Sequence, residues 1–124
     1  MRVLFVDDDK SVCDLLTVFC SSLGMEFRTV NRAQEALELC EEEDFTLVVT
    51  DLQMPEMDGM ALAIELRQRY PGMAIYAFTG DSRVYPMKML RESFDKVFLK
   101  PSDYSRLIAD AMKYLAIRKY PFLA

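Results

Sequence analysis

The chain has 124 residues, of which 52% are hydrophobic and 28% charged, and its formal net charge is -5. That length supports one domain, residues 1–124, with a real core but no room for two, and the composition is that of a folded chain rather than a disordered one. The acidic balance and the lack of a basic cluster argue against direct nucleic-acid binding, and no apolar stretch reaches the roughly 20 residues of a membrane span.

The elements alternate. Arg2 to Val6 is a short apolar run that ends in Asp7-Asp8-Asp9. Val12, Leu15, Leu16, Phe19 and Leu23 then follow one helical face, with Ser11 as a candidate cap and Gly24 as a stop. Glu26 to Val30 reads as a weak strand. Asn31 is placed to cap a second helix, which buries Ala33, Ala36, Leu37 and Cys40 and turns Glu41-Glu-Glu-Asp44 to water.

Phe45 to Thr50 is a continuous apolar and β-branched run, expected of a strand buried on both faces, and it ends at Asp51. A loop rich in turn residues, Asp51 to Gly59, leads into a helix over Met60 to Tyr70 that Pro71-Gly72 stops. Ala74 to Phe78 is a fourth strand, ending at Thr79. Asp81-Ser82 is expected to open a helix that carries Pro86 in its first turns. Val97 to Leu99, the fifth strand, ends at Lys100-Pro101, and Ser102 or Asp103 caps a last helix to about Lys119. Strict strand–helix alternation implies an α/β fold: a five-stranded parallel sheet covered on both faces. The flavodoxin-like order 2-1-3-4-5 would set the first strand beside the third.

The three cysteines, Cys13, Cys20 and Cys40, have neither zinc-type spacing nor the even count of a disulfide framework, and read as small buried apolar residues. With no signal peptide ahead of Met1-Arg2-Val3, a reducing cytoplasm is the expected location. Val84, Tyr85, Met87, Met89 and Met112 are expected to lie mostly in the core, with some left to form a docking face.

The strand ends carry the chemistry. Neighbouring parallel strands share one edge, so Asp7, Asp8, Asp51, Thr79 and Lys100 should converge there. Several carboxylates packed together are costly, and a hard divalent cation is the usual remedy; Mg²⁺ suits one or two carboxylates plus phosphate oxygens and water. An ammonium at Lys100 and a hydroxyl at Thr79 suit a phosphoryl group, although each residue alone also reads as an ordinary solvated or capping side chain.

The motifs LFVDDD at 4–9, VVTDLQMPEMDGM at 48–60, AFTGD at 77–81 and FLKP at 98–101 together resemble the receiver domain of two-component response regulators over nearly the whole chain. The resemblance implies that Asp51 is the phosphoacceptor and that Asp7, Asp8, Asp51 and the backbone carbonyl of Gln53 hold Mg²⁺. It further implies that Lys100, in a cis bond to Pro101, bridges to the phosphoryl group, that Thr79 moves toward it, and that Asp9 starts the first helix. Gln53 and Asp81 hold positions that tune attack by water on the acyl phosphate. By the same resemblance the chain is a signalling protein that catalyses its own phosphorylation and slow dephosphorylation. Its partners would be a sensor histidine kinase or histidine phosphotransfer protein and a downstream effector, and the last two helices with the fifth strand would form any homodimer face. The chain has no histidine, so a phosphohistidine donor must lie elsewhere.

One position departs from the family. Receivers usually carry Tyr or Phe three residues before the lysine, and here Val97 stands there. Two alternatives remain at this level. Asp7-Asp8-Asp9-Lys10-Ser11 also resembles the motif of haloacid dehalogenase-like phosphatases, with Asp7 as nucleophile and Asp9 as general acid. A degenerate receiver that serves as a constitutive binding module is the other.

Overall fold

A computed structural model describes residues 2–119. Five strands, β1 (Val3–Val6), β2 (Phe27–Val30), β3 (Leu47–Thr50), β4 (Ala74–Thr79) and β5 (Lys96–Leu99), alternate with five helices. The helices are α1 (Lys10–Ser22), α2 (Ala33–Glu42), α3 (Gly59–Arg69), α4 (Met87–Ser93) and α5 (Tyr104–Lys119). The strands form one sheet in the order β2-β1-β3-β4-β5, and every neighbouring pair is parallel. This is the flavodoxin-like arrangement expected from the alternation.

Strand side chains point alternately to the two faces, and each face has its own core. Leu4, Val6, Val48, Ile75 and Ala77 pack with α2, α3 and α4 on one side. Val3, Phe5, Leu47, Val49, Tyr76 and Phe78 pack with α1 and α5 on the other. β1, β3 and β4 are buried throughout, which explains why they read as unbroken apolar runs. The helix-two face of Ala33, Ala36, Leu37 and Cys40 is buried as expected, and all three cysteines are free and buried.

Several local expectations are corrected. α1 turns a different stripe to the sheet: Val12, Cys13, Leu16 and Cys20 are buried, whereas Leu15, Phe19 and Leu23 are 40%, 42% and 48% exposed. The four-residue spacing of Val12, Leu16 and Cys20 makes one row on the helix, and the row of larger side chains lies on its flank. There Phe19 and Leu23 line a shallow groove with Tyr104, Ile108 and Met112 of α5. The cap of α1 is Asp9 rather than Ser11, since the Asp9 carboxylate accepts from Ser11 N at 2.9 Å and from its hydroxyl at 2.6 Å. α2 starts after Arg32 without a side-chain cap, and the Asn31 amide donates instead to the Asp7 carbonyl at 3.1 Å.

The expected fourth helix is split. Asp81 caps only a 3-10 turn at Ser82–Val84, Tyr85 is extended, and Pro86 becomes the cap of α4. Proline disfavours helical backbone in the residue before it, so Tyr85 breaks the helix. α4 has a single buried residue, Leu90. Val84, Met87, Met89 and Met112 therefore stand 37–43% exposed rather than in the core, while Tyr85 is half-buried.

Candidate functional site

Four of the candidate residues, Asp7, Asp51, Thr79 and Lys100, continue the sheet by one residue or end it. The Asp51 amide donates to Val6 O at 2.9 Å, that of Asp7 to Val30 O at 3.1 Å, and that of Lys100 to Thr79 O at 2.9 Å. Ladder hydrogen bonds thus fix these backbones before the side chains act, and the parallel register brings them to one edge.

Asp7, Asp8 and Asp51 each offer a carboxylate oxygen within 4.8 Å of the others. Asp7 is 3% exposed, Asp51 is half-buried and Asp8 is exposed. Lys100 Nζ reaches Asp7 Oδ2 at 2.5 Å and Asp51 Oδ2 at 3.3 Å, and lies 5.5 Å from the centre of the Phe78 ring. The other Asp7 oxygen accepts the Asp9 amide at 2.9 Å.

The site thus gathers three carboxylates, two of them paired with one ammonium, and is net negative. Burial raises the Asp7 carboxyl above its ordinary value; the hydrogen bond from Lys100 opposes this and the nearby Asp51 charge adds to it. For Lys100, burial acts against the cation, but the hydrogen bonds and charges of Asp7 and Asp51 outweigh it, and its value is raised. An excess of carboxylate oxygen at the mouth of a partly dry pocket fits a hard divalent cation. Asp7, Asp8 and Asp51 are the side chains able to hold one.

Thr79 ends β4, 1% exposed. Its hydroxyl donates to Asp81 O at 3.4 Å and accepts from Asp81 N at 3.3 Å, so it is held by the loop that follows. Gln53 lies two residues after Asp51 in the β3–α3 loop, exposed itself between the buried Leu52 and the half-buried Met54. The Lys100–Pro101 bond is cis, as the resemblance implied. Asp9 caps α1, which agrees with its expected helix-start role.

The β3–α3 loop is packed tightly. The Gly59 amide donates to Leu52 O at 2.8 Å, and a side chain at Gly59 would place its Cβ 2.0 Å from the Asp51 carbonyl oxygen. Glu56 takes a left-handed conformation, φ 71°, and pairs with Arg32 at 2.9 Å. Two contacts had no sequence signal: Arg32 to Glu56, and the Tyr85 hydroxyl to Asp58 at the start of α3. Both join loops that no periodicity links.

The model of the response regulator receiver domain family matches residues 3–112. The transcriptional regulatory protein ZraR of Escherichia coli is 33% identical over 115 residues, which cover 92% of this chain and 26% of that protein. The response regulator protein FleR of Pseudomonas aeruginosa is 31% identical over 121 residues, 97% of this chain and 25% of FleR. The chain thus spans about a quarter of the length of these relatives. Among solved structures, the response regulator TrrA of Thermotoga maritima, in complex with Mg²⁺ and beryllium fluoride, superposes with a TM-score of 0.82 at 26% identity, covering 91% of this chain and 97% of TrrA. A CheY-like receiver domain protein of Methanospirillum hungatei gives 0.86 at 26% identity, with 95% of each chain covered. With its fold, its convergent strand ends and these likenesses together, the chain belongs to the response regulator receiver domain family.

Proposed function

We propose that this chain accepts a phosphoryl group on Asp51 and uses the modification to switch protein–protein contacts. The observation that supports this most is the convergence of Asp7, Asp8 and Asp51 at the sheet edge, with Lys100 paired to Asp7 and Asp51. A carboxylate oxygen of Asp51 attacks the phosphorus of a phosphohistidine on another molecule. The new P–O bond forms as the P–N bond breaks, and the bonding electron pair stays on the imidazole nitrogen. The chain has no histidine, so the donor would be a sensor histidine kinase or a histidine phosphotransfer protein.

Phosphoryl transfer asks a protein for alignment and charge neutralisation more than for covalent help. The Asp51 backbone is aligned by its bond to Val6. Asp7, Asp8, Asp51 and the Gln53 carbonyl would hold Mg²⁺, which when bound supplies positive charge to the phosphoryl oxygens. Lys100 already lies within reach of Asp51 and would move its ammonium from Asp7 to a phosphoryl oxygen. Thr79 would exchange its bonds to Asp81 for one to the same group, carrying the change into the β4–α4 loop. Asp81, in that loop, and Gln53 would set how fast water removes the phosphoryl group.

The phosphatase reading needs Asp9 as a general acid, whereas its carboxylate caps α1 and binds Ser11. Output would pass to a downstream effector or a second copy, through α4, β5 and α5. None of the described helices is long and apolar enough to cross a membrane, and a cytoplasmic site of action follows from the proposed partners. Incubation with acetyl phosphate tests the chemistry. The intact mass should rise by one phosphoryl group with Mg²⁺ and stay unchanged with EDTA or in Asp51→Asn. Equal labelling without the metal would contradict the proposal.

A further inference from the structure

Tyr85 ties the β4–α4 segment to the start of α3. Its hydroxyl donates to Asp58 Oδ2, bridging 27 positions of sequence. The other Asp58 oxygen accepts from Ala61 N at 2.9 Å and caps α3. Asp58 directly precedes Gly59, which is pressed against the Asp51 carbonyl and bonded to Leu52 O.

From the other direction, Thr79 is bonded to the backbone of Asp81. The Asp81 carboxylate in turn holds Arg83 N at 2.9 Å and Arg83 Nε at 3.0 Å, which ties Asp81 to Val84 into one hydrogen-bonded turn. Tyr85 follows that turn and directly precedes Pro86, the cap of α4. Its ring packs against the same core cluster as Val97. Thr79 is thus connected to Tyr85 through one short hydrogen-bonded turn, and Tyr85 directly to the start of α4.

We propose that Tyr85 is a positioning residue that latches the β4–α4 segment to the start of α3 in the resting state, and that phosphoryl-driven movement of Thr79 opens this latch. It supplies from the β4–α4 loop the aromatic coupling that Val97 cannot supply from β5. The proposal rests on the phospho-accepting reading of Asp51. Because the latch holds the resting arrangement, removing it favours the active one.

Two variants test it. Tyr85→Phe keeps the ring and removes the hydroxyl. Asp58→Ser keeps a capping oxygen for α3 and leaves no second oxygen to accept from the tyrosine. Binding of beryllium fluoride in saturating Mg²⁺, followed by amide NMR, should tighten about three- to tenfold in each variant, the size expected for one ordinary intramolecular hydrogen bond. The double variant should tighten no further, since both changes remove the same bond. Resting-state signals of residues 80–90 should shift toward their bound positions in both single variants. Wild-type affinity in Tyr85→Phe, or weaker binding, would overturn the latch while leaving the phospho-accepting reading intact. A wild-type chain that binds no beryllium fluoride with Mg²⁺ would overturn that reading and the latch with it.

Discussion

Lys100 and Asp7 are 93 residues apart in sequence, yet the lysine ammonium lies 2.5 Å from the Asp7 carboxylate at the sheet edge. The ammonium offsets part of the charge of three carboxylates, and its loss leaves them crowded. Lys100→Met should therefore lower stability without metal by about 3–5 kcal/mol, the range for breaking a buried pair. Mg²⁺ should restore more stability to the variant than it adds to the wild type, since it replaces the missing positive charge. Thermal unfolding with and without MgCl₂ measures both effects; equal metal-induced shifts in the two proteins would count against this account.

Gly59 is required by space rather than by backbone conformation. Its Cβ position overlaps the Asp51 carbonyl oxygen, 2.0 Å away, and that neighbour is main chain with little freedom to yield. Gly59→Ala should cost about 1–3 kcal/mol of stability by overpacking, and should also slow Asp51 phosphorylation by pushing the loop outward. Denaturant unfolding and acetyl phosphate labelling test the two parts. A variant with unchanged labelling would show that the loop moves without disturbing Asp51.

Most of the fold and much of the site were legible in the chain because both rest on short-range rules. Doubly buried strands read as apolar runs, and the residue that ends each run is the one the ladder carries into the site. Asp51 and Asp7 are held by bonds to Val6 and Val30 for that reason. The failures arise where local pattern underdetermines packing. α1 carries two apolar rows, and periodicity does not say which faces the sheet. Pro86 fits either inside a first turn or as a cap, and the extended Tyr85 decides for the cap. The bond from Tyr85 to Asp58 joins two loops and leaves no periodic trace.

Val97 has no ring to swing, so the β4–α4 segment should carry the response. In Thr79→Ala, Asp51 should still be labelled by acetyl phosphate, while the NMR changes that labelling causes in residues 84–104 should be lost. Thr79→Ser should retain them, since it keeps the hydroxyl. Changes confined to the surroundings of Asp51 in the wild type itself would contradict this route of signalling.

Far from the site, Asp110 accepts from the Tyr76 hydroxyl at 2.7 Å and from Lys96 at 2.5 Å. Burial alone would raise its carboxyl, but the bonds from Lys96 and Tyr76 prevail and hold it below the ordinary 3.8. A depressed carboxyl contributes stability above its unfolded value and loses it as the pH falls through the folded one. Asp110→Asn should thus cost about 1–2 kcal/mol at neutral pH, and the difference from wild type should shrink as the pH falls below 3.8. A penalty independent of pH would show that packing, not charge, is what Asp110 provides.

The central claim is that Asp51, and no other acid at the sheet edge, becomes the aspartyl phosphate. Its most direct test is reductive trapping of the chain after reaction with acetyl phosphate and Mg²⁺, followed by peptide mapping. The modification is predicted at Asp51. Label at Asp7, or at Asp9 beside it, would contradict the account.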